Sequence, residues 1–585
     1  MKYEVMAPKN IPQSWYGQIT GLDIETEDLA INSRICMVSI FNPYENKGGV
    51  IPIYWFNGDS AYSISSGDLD ILKGYLSSIK AVGHNLHFDI PTIYHNWGIK
   101  IHPYFDTFIM ARVFQFKEQS LKGIILRIKP EWSDEVLRFS DLDSKEPPFR
   151  YTLDSRTVKY SALDAFYPFV LMNHFKDRIQ KMKRIFQIEM NFLRIANNIR
   201  GMGLNVDMDE YYKDFGEMNK RVDTLQEDLD NLVGFHVRPT SCADIRQVFA
   251  QYSLVPAQIT PKGDPSTSKE SLGMMMDNYL DRPAVQEVLQ KIIDLKHESS
   301  VRNSCKKIPM WEVSGKVHPQ IEQVGFDGTS RVYSTDPSVN QWPKELRYSV
   351  KPAPGKKFVM FDWKSAELYI AAYWSKCKIL LDWFDQGIDL HTEISKRLLG
   401  KENITKEERS VSKVVTFSTI YGSEGAATAR ALHIPLDQAQ DLVAGYLSLF
   451  PEIKNLRDRA IAYCRKTTYT KTMLGRPRQL PNIKSPVPAE VRGAERQAFN
   501  TAIQASCADF FKIAAARTLK YENLGVRYVF GVFDSHLLEV PEDMDDETVV
   551  KIMDDMSDFS NLFRGFKFRY DWASGESWGE AYEKL

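Results

Sequence analysis

A short apolar strand that ends in a carboxylate constrains this chain more than any other feature. Phe358 to Phe361 predict a buried strand, and Asp362 follows it just before a helical pattern begins at Ser365. An ionised carboxylate beside a buried strand is costly unless hydrogen bonds or a cation compensate it. A divalent metal ion would supply that cation, whereas a helix N-cap is the alternative interpretation of Asp362 taken alone.

A second strand of this kind lies far along the chain. Val526 to Val532 predict a strand, His536 to Val540 predict another, and Asp534 lies at the tip of the turn between them. If these strands share a sheet with the first, Asp362 and Asp534 meet, and two such carboxylates repel each other unless metal lies between them. Two divalent ions held in this way are the usual machinery of phosphoryl transfer.

Length and composition set the class of protein. At 585 residues the chain is too long for one core, so we expect two or more domains. The net charge of -2 does not indicate a polyanion partner, although local basic surfaces can coexist with carboxylate-lined sites. The six cysteines form no Cys-x-x-Cys pair, the N-terminus lacks a signal-peptide core, and no apolar run is long enough for a bilayer. We therefore expect a cytoplasmic protein that does not associate with membranes.

The start of the chain predicts a strand-rich sheet covered by helices. The predicted strands are Gln18 to Asp23, Arg34 to Phe41 and Gly49 to Trp55, and the predicted helices are Asp68 to Ile79 and Phe105 to Phe116.

Acidic and phenolic side chains recur there in three short motifs: Asp23 with Glu25, then Asp89, then Tyr160 with Asp164. The strand period of two places the first pair on one face, and the helical period places the last pair one turn apart on one face. Taken separately, a solvated strand face, a helix cap and an exposed helix pair are the alternatives.

The ordered set Asp-x-Glu, Asn-x-x-Phe-Asp and Tyr-x-x-x-Asp resembles the 3'-5' proofreading exonuclease domain, which has a ribonuclease H-like fold. The resemblance implies that four acids hold two metal ions: Asp23, Glu25, Asp89 and Asp164. It also implies that Tyr160 orients the attacking water and that Asp106 is a further acid near the site. Phosphodiester hydrolysis needs such a metal-activated water.

Two apolar helix seams follow. The first contains Phe215, Met218, Val222, Leu225, Leu229 and Leu232, and its predicted partner contains Val285, Val288, Leu289, Ile292 and Leu295. Their steps of three and four predict helices that pack on each other.

A stripe of cations and rings is the next informative feature. Steps of four keep Arg409, Lys413, Phe417 and Tyr421 on one side of a helix. This order suits a nucleoside triphosphate laid along the helix, since cations meet phosphates and rings meet the sugar and base. A partly buried helix with snorkelling cations is the alternative.

The pattern Arg-x-x-x-Lys-x-x-x-Phe-x-x-x-Tyr-Gly is similar to motif B of family A DNA polymerases, the group of bacterial DNA polymerase I and many bacteriophage replicases. Residues 362–368 resemble motif A, and residues 532–535 resemble motif C. The resemblance implies an α/β multidomain chain of bacteriophage type, with a ribonuclease H-like exonuclease domain at 1–185 and a right-hand polymerase domain at 186–585. Within the latter it implies a thumb at about 208–310, a palm at about 311–380 and 500–585, and fingers at about 381–499.

The resemblance also implies the roles of individual residues. Asp362 and Asp534 bind two Mg²⁺ ions, for which Mn²⁺ can substitute, and Glu367 resembles the steric gate that excludes a 2'-hydroxyl. The residues that contact the nucleotide are Arg409, Lys413, Phe417, Tyr421 and His391. The residues that contact DNA are Arg331, Asn340, Gln341, Arg496, Asn500 and Gln504.

Two further features bear on this assignment. Ser535 replaces the second acid of motif C, and we expect activity to survive because Asp362 and Asp534 suffice to bridge two metals. A basic run favours contacts with DNA phosphates, with a solvated helix face as the alternative: Lys454, Arg457, Arg459, Arg465, Lys466, Lys471, Arg476 and Arg478.

The sequence thus predicts a template-directed DNA polymerase with a proofreading exonuclease. Its expected partners are primer-template DNA, deoxynucleoside triphosphates and replisome proteins such as a helicase-primase and a single-strand binding protein. We expect a monomer, in the bacterial host cytoplasm if phage-encoded, without a separate 5' nuclease. One alternative is a single-strand 3'-5' nuclease whose polymerase half binds DNA but is inactive, which Ser535 favours. The other is a related RNA polymerase, against which Glu367 argues.

Overall fold

The computed structural model describes residues 1–142, 146–260, 262–325, 328–423, 425–432 and 434–585. The chain begins with the strands β1 (Lys2–Val5), β2 (Ile19–Thr26), β3 (Ile35–Asn42), β4 (Lys47–Pro52), β5 (Tyr54–Asn57), β6 (Ser60–Ser63), β7 (Lys80–Gly83) and β8 (His102–Asp106). One sheet has the order β1-β4-β3-β2-β7-β8, in which β3 runs antiparallel to its neighbours and the other pairs are parallel. The hairpin β5–β6 stands apart from it.

Helices cover this sheet: α1 (Ser66–Ser78), α2 (Leu86–Trp97), α3 (Thr107–Val113), α4 (Leu121–Ile128) and α5 (Ser155–His174). Every residue of β3 is buried, because α5 lies across β2 and β3. Gly21 of β2 permits this close approach, since a Cβ at that position would lie 2.2 Å from the carbonyl oxygen of Ala165. The sheet and α5 thereby bring the acids of both elements to one place.

The first predicted strands and helices are confirmed with two corrections. The strand predicted over Gly49 to Trp55 is two strands, since β4 ends at Pro52, which has no N–H to donate to a sheet. The helix predicted from Phe105 begins later, at Thr107. Asp106 caps it by accepting hydrogen bonds from the amides of Phe108 and Ile109 at 2.7 and 3.1 Å.

The middle of the chain is helical: α6 (Lys176–Lys181), α7 (Lys183–Met202), α8 (Met208–Val233), α9 (Cys242–Gln251), α10 (Lys269–Asn278) and α11 (Pro283–Cys305). The predicted seams are confirmed, because α8 and α11 pack together and bury Val222 and Leu229 against Val288 and Leu289. The predicted domain boundary at 185 lies inside α7.

Five short strands precede β14 in the sequence: β9 (Leu204–Asn205), β10 (Glu312–Val313), β11 (Lys316–Val317), β12 (Gln320–Glu322) and β13 (Tyr333–Thr335). Strand β14 (Lys356–Trp363) then leads into the helices α12 (Ala366–Ser375), α13 (Lys378–Gln386), α14 (Leu390–Leu399), α15 (Lys406–Ile420), α16 (Ala426–Leu432), α17 (Leu436–Leu449) and α18 (Pro451–Thr467).

The last part of the chain contains β15 (Tyr469–Lys471), β16 (Pro477–Gln479), α19 (Pro488–Arg517), β17 (Arg527–Val532), β18 (Ser535–Pro541), α20 (Asp546–Ser557), β19 (Tyr570–Gly575) and α21 (Trp578–Lys584). The second sheet has the antiparallel order β17-β18-β14-β19. Helix α19 packs on α7, α12 and α18, so it connects these three helices. Among the described residues, no helix combines the length and apolar character needed to cross a bilayer.

Candidate active sites

The second sheet brings the two strand-end carboxylates together. Asp362 is the penultimate residue of β14, and its register partner on β18 is Ser535. Asp534 precedes Ser535 in the turn between β17 and β18, and its carbonyl oxygen accepts a hydrogen bond from the Trp363 amide at 3.3 Å. The structure therefore confirms that the two strands share a sheet. It excludes the N-cap interpretation of Asp362, because Ser365 is the N-cap residue of α12.

The electrostatics of this pair favour a bound cation. Burial, and then the charge of Asp362, raise the pKa of Asp534 to about 7. Burial, and then the charge of Asp571, raise the pKa of Asp362 to about 6. Because the fold holds these carboxylates close to one another, their ionised forms repel each other. Oxygen donors of this kind are the ligands that Mg²⁺ prefers. The residues present thus fit a divalent-metal site.

Asp571 is a site residue that the sequence analysis missed. It lies on β19 directly opposite Asp362, and its carboxylate pairs with the Lys364 ammonium at 2.7 Å. Its only sequence signal is an acid between Tyr570 and Trp572 in a strand-like run. Ser535 has a local role instead of an acidic one, because its buried hydroxyl donates to the Val532 carbonyl at 2.8 Å and closes the turn.

A cavity of about 350 Å³ opens beside these acids. Its lining includes Arg331, Asn340, Gln341, Glu367, Phe417, Tyr421 and Asp534. Arg331 donates to the Glu367 carboxylate at 2.5 Å, which fixes the predicted steric gate at the cavity wall. Burial raises the pKa of Glu367 and outweighs the opposing effect of Arg331. Burial, and then the charge of Glu367, raise the pKa of Tyr421 to about 12.

Helix α15 presents the predicted stripe to a second cavity of about 810 Å³. Lys413, Phe417 and Tyr421 line it together with Arg496 of α19. The rings of Phe417 and Tyr421 lie 6.2 Å apart, and a capping box fixes the start of the helix at Thr405. The structure therefore places these three stripe residues along one continuous surface.

The other two residues predicted to contact the nucleotide, Arg409 and His391, lie against protein side chains. Arg409 forms a 2.6 Å ion pair with Asp389, so it must exchange this partner to meet a phosphate. The ring of His391 lies 5.9 Å from that of Phe417. Burial, and then the nearby Arg409, lower the pKa of His391 to about 4. A neutral imidazole there can donate one hydrogen bond but supplies no charge at neutral pH.

The predicted DNA contacts divide into two groups. Arg331, Asn340 and Gln341 line the smaller cavity, and Arg496 lines the larger one. Asn500 and Gln504 follow Arg496 along α19 at steps of four, although neither is among the described residues that line these two cavities. Gln504 is buried.

One member of the predicted basic run is not available to DNA. Arg476 is 4% exposed and donates to the carboxylates of Glu189, from α7, and of Asp509, from α19. Lys512 donates to the same Glu189 carboxylate at 2.7 Å. The prediction that Arg476 contacts phosphate is therefore wrong, and the residue instead ties the β15–β16 hairpin to two long helices.

The first sheet builds a second carboxylate site. Asp23 and Glu25 lie on β2 and Asp164 lies on α5, and oxygen atoms of all three lie within 4.8 Å of one another. Asp89 lies in the first turn of α2 and accepts a hydrogen bond from the Ile24 amide at 2.9 Å. Asp23, Glu25 and Asp164 thus form the close cluster, Asp89 is held beside β2 by the Ile24 amide, and oxygen donors so arranged fit divalent metal ions.

Burial dominates the electrostatics of this site. It raises the pKa of Asp23 well above its ordinary value, and the charge of Asp164 adds to the effect. Burial raises the pKa of Glu25 to about 7 and that of Asp89 to about 8. The pKa of Asp164 is also raised by burial, against the opposing effect of Lys122.

The sequence analysis missed two residues of the second site. The Lys122 ammonium lies 2.7 Å from the Asp164 carboxylate and 3.5 Å from the centre of the Tyr160 ring. Tyr151 donates from its hydroxyl to Glu25 at 3.1 Å. Neither residue belongs to a recognisable motif, because α4 and the segment before α5 reach the site only through the fold. Asp106 caps α3 and also accepts from the amide that opens α2, so it supports the site without joining the cluster.

Comparisons with known proteins identify the families that the two parts of the chain match. The family described as DNA polymerase family A matches residues 209–580, and the family described as 3'-5' exonuclease matches residues 10–180. DNA polymerase I of Borreliella burgdorferi is 25% identical over 96% of this chain and 62% of its own length. DNA polymerase I of Chloroflexus aurantiacus is 26% identical over 79% of this chain and 50% of its own length. The chain therefore spans less than two thirds of the length of these curated relatives.

A solved structure supports the fold. The POL domain of Pol1 from M. smegmatis, in complex with DNA primer-template and dNTP, superposes with a TM-score of 0.82 at 18% identity and full coverage of both chains. Because the family match extends over more than half of the sequence, this chain belongs to DNA polymerase family A and carries a 3'-5' exonuclease domain ahead of its polymerase domain.

Proposed function

We propose that this chain is a template-directed DNA polymerase that adds deoxynucleotides to a primer 3' end and removes mismatched ends with its exonuclease domain. The observation that carries the proposal is the meeting of Asp362 and Asp534 on one sheet, beside a cavity that the stripe residues Phe417 and Tyr421 also line. This arrangement pairs a site for divalent cations with a surface suited to a nucleoside triphosphate.

The polymerase site divides its tasks among named residues. Asp362 and Asp534 would hold two divalent ions, which supply activation of the primer 3'-hydroxyl and charge stabilisation at the transferred phosphate. Lys413 and Arg409 meet the triphosphate, with Arg409 exchanging its ion pair with Asp389 for a phosphate. His391 contributes a hydrogen bond.

The sugar and base are positioned by the other wall of the pocket. Phe417 packs against the incoming sugar, and Tyr421 lies at the templating position. Glu367, held by Arg331, fills the space that a 2'-hydroxyl would need. The predicted result is a preference for deoxynucleotides.

The exonuclease site has its own division of tasks. Asp23, Glu25, Asp89 and Asp164 would hold divalent ions, which supply an activated water for phosphodiester hydrolysis. Tyr160 orients that water through its hydroxyl. Mg²⁺ at both sites, with Mn²⁺ as a substitute, is part of the proposal, because the donors are all carboxylates.

Ser535 is the one feature that favours the alternative in which the polymerase half is inactive. Its hydroxyl closes the β17–β18 turn, and the two carboxylates that can bridge metal ions remain together. We therefore propose an active polymerase. The replisome partners, the bacteriophage type, the monomeric state and a cytoplasmic location are further proposals that rest on the sequence.

Single-turnover primer extension tests the polymerase assignment. In an Asp23→Ala background, which prevents degradation of the primer, Asp534→Asn is expected to slow incorporation at least about a hundredfold, as for loss of a central electrostatic group. Asp543→Asn removes an exposed acid beyond the end of β18 and serves as the matched control. Equal incorporation rates in the two variants would assign the chemistry elsewhere and favour the nuclease alternative.

A further inference from the structure

A groove of about 590 Å³ lies apart from both carboxylate sites. The end of α12, the outer face of α18, strand β15 and helix α19 form its walls. Ala502 is the α19 residue in the groove, and at 100° per residue it lies about 120° around the helix from Arg496, which lines the polymerase cavity. The groove is therefore adjacent to the polymerase cleft but opens on another side of α19.

The charge of this groove is entirely positive. Of the described residues that line it, Lys376, Arg459 and Lys471 are charged, and none is acidic. All three are exposed, and within the described part of the chain none of them forms an ion pair. Three unpaired cations on a concave surface concentrate positive potential and favour an anionic occupant.

The structure separates the members of the predicted basic run that form ion pairs from those that do not. Arg476 is buried against two carboxylates, Arg465 pairs with Glu495, and Arg457 contacts Asp458 at 3.5 Å. The remaining cations include the two that face the groove from α18 and β15. Two members of the run, Arg459 and Lys471, therefore line the groove, and neither forms an ion pair within the described part of the chain.

Aromatic side chains complete the groove. Trp374 and Tyr463 line it, and Tyr463 is 38% exposed. The Lys471 ammonium lies 5.9 Å from the centre of the Tyr463 ring, so a cation and an exposed ring occupy neighbouring positions. Grooves that combine unpaired cations with exposed rings suit single-stranded nucleic acid, because phosphates meet the cations and bases stack on the rings. An acidic peptide would use the cations but has less need of the rings.

We propose that this groove binds an unpaired stretch of DNA, namely the template strand ahead of the base being copied. The proposal rests on the proposed polymerase function and extends it to a second contact with the same substrate. The helices that form the groove also reach the polymerase cleft, since α12 carries Glu367 and α19 carries Arg496, each of which lines one of its cavities. Three phosphate contacts would contribute about 2 to the slope of log affinity against log salt concentration.

Overhang length provides the test. Binding is measured in an Asp23→Ala background for primer-templates whose 5' template overhangs are about two or about twelve nucleotides, lengths that bracket ordinary single-strand site sizes. The variant carries Lys376→Gln, Arg459→Gln and Lys471→Gln together. It is expected to bind the long overhang about tenfold more weakly, with a salt slope smaller by about 2, and to bind the short overhang as the unmodified groove does.

Two further variants sharpen the result. Lys181→Gln with Lys183→Gln removes exposed cations of α6 and α7 that do not line the groove, and is expected to leave both affinities unchanged. Tyr463→Ala is expected to weaken the long overhang without changing the salt slope, because a ring carries no charge.

The outcomes that overturn the inference are distinct from failure of the proposed function. An unchanged affinity for the long overhang in the triple variant would leave the groove to another anion, such as an acidic peptide, and would refute it. An equal loss on both overhangs would refute it too, because the contact would then be with the duplex. Absence of primer extension by the protein with an intact groove would instead count against the polymerase function itself.

Discussion

Glu25→Gln is expected to stabilise the metal-free protein at pH 8 while removing exonuclease activity. Burial raises the pKa of Glu25 from 4.5 to about 7, so the ionised carboxylate is less stable in the folded state than in the unfolded chain. The folded state therefore binds more protons between these pH values, and the free energy of unfolding falls as pH rises through them. Glutamine is uncharged at every pH and avoids this loss.

The difference between the ordinary pKa of 4.5 and the pKa of about 7 for Glu25 sets the size of the stability change. At 1.36 kcal/mol per unit it corresponds to an upper value of about 3 kcal/mol at pH 8. For a domain of roughly the size of the exonuclease domain, each kcal/mol of added stability raises the unfolding midpoint by about 2–4 °C. The largest expected rise in the unfolding temperature is therefore about 6–12 °C. Little difference is expected at pH 4.5, because the wild-type carboxyl is then largely protonated in the fold.

Calorimetry in EDTA at both pH values measures this difference, and hydrogen exchange of the β2 amides assigns the transition to the exonuclease domain. Glu4→Gln is the matched control, because Glu4 lies on the exposed strand β1 of the same sheet and pairs with Lys47 at 2.8 Å. It is expected to change stability by less than about 0.5 kcal/mol. Added Mg²⁺ is expected to stabilise the wild type more than Glu25→Gln. A variant no more stable than the wild type at pH 8 would refute the reasoning.

Three further changes test other parts of the structure. Arg476→Met leaves the buried Asp509 carboxylate without its cation and leaves Glu189 with Lys512 alone; it is expected to cost about 3–5 kcal/mol in denaturant unfolding, against about 0–1 kcal/mol for Arg465→Met at an exposed pair, and equal losses would contradict the buried network. Lys122→Met removes an ammonium 2.7 Å from the Asp164 carboxylate of the proposed metal site, so calorimetric titration should show Mn²⁺ binding at least about tenfold tighter, and weaker binding would reject this competition. Glu367→Ala is expected to raise ribonucleotide incorporation relative to deoxynucleotide incorporation, measured as the ratio of kcat/KM values; an unchanged ratio would remove its role as a gate.

Local patterns predicted the parts of both sites that local structure builds. Asp362 and Asp534 could be predicted from sequence because each lies at or just beyond the end of an apolar strand, and the sheet needs only one strand pairing to bring them together. The period of α15 likewise placed Lys413, Phe417 and Tyr421 on one surface. In these cases the backbone period carries the side chains to the site.

Other site residues depend on contacts between distant parts of the chain. Asp571 reaches Asp362 only through the register of β14 and β19, and Lys122 reaches Asp164 only because α4 lies beside α5. Arg476 looked like an exposed member of a basic run because its partner Glu189 is 287 positions away. Side-chain burial and strand register are properties of the assembled fold, so a linear pattern could not predict these contacts.

Anomalous scattering from Mn²⁺ in crystals with primer-template DNA and a non-hydrolysable deoxynucleoside triphosphate tests the central claim most directly. We expect a manganese peak within about 2.5 Å of carboxylate oxygens from both Asp362 and Asp534, next to the triphosphate along α15. Manganese bound to only one of these two acids, or a triphosphate seated away from Lys413, would contradict the shared metal site.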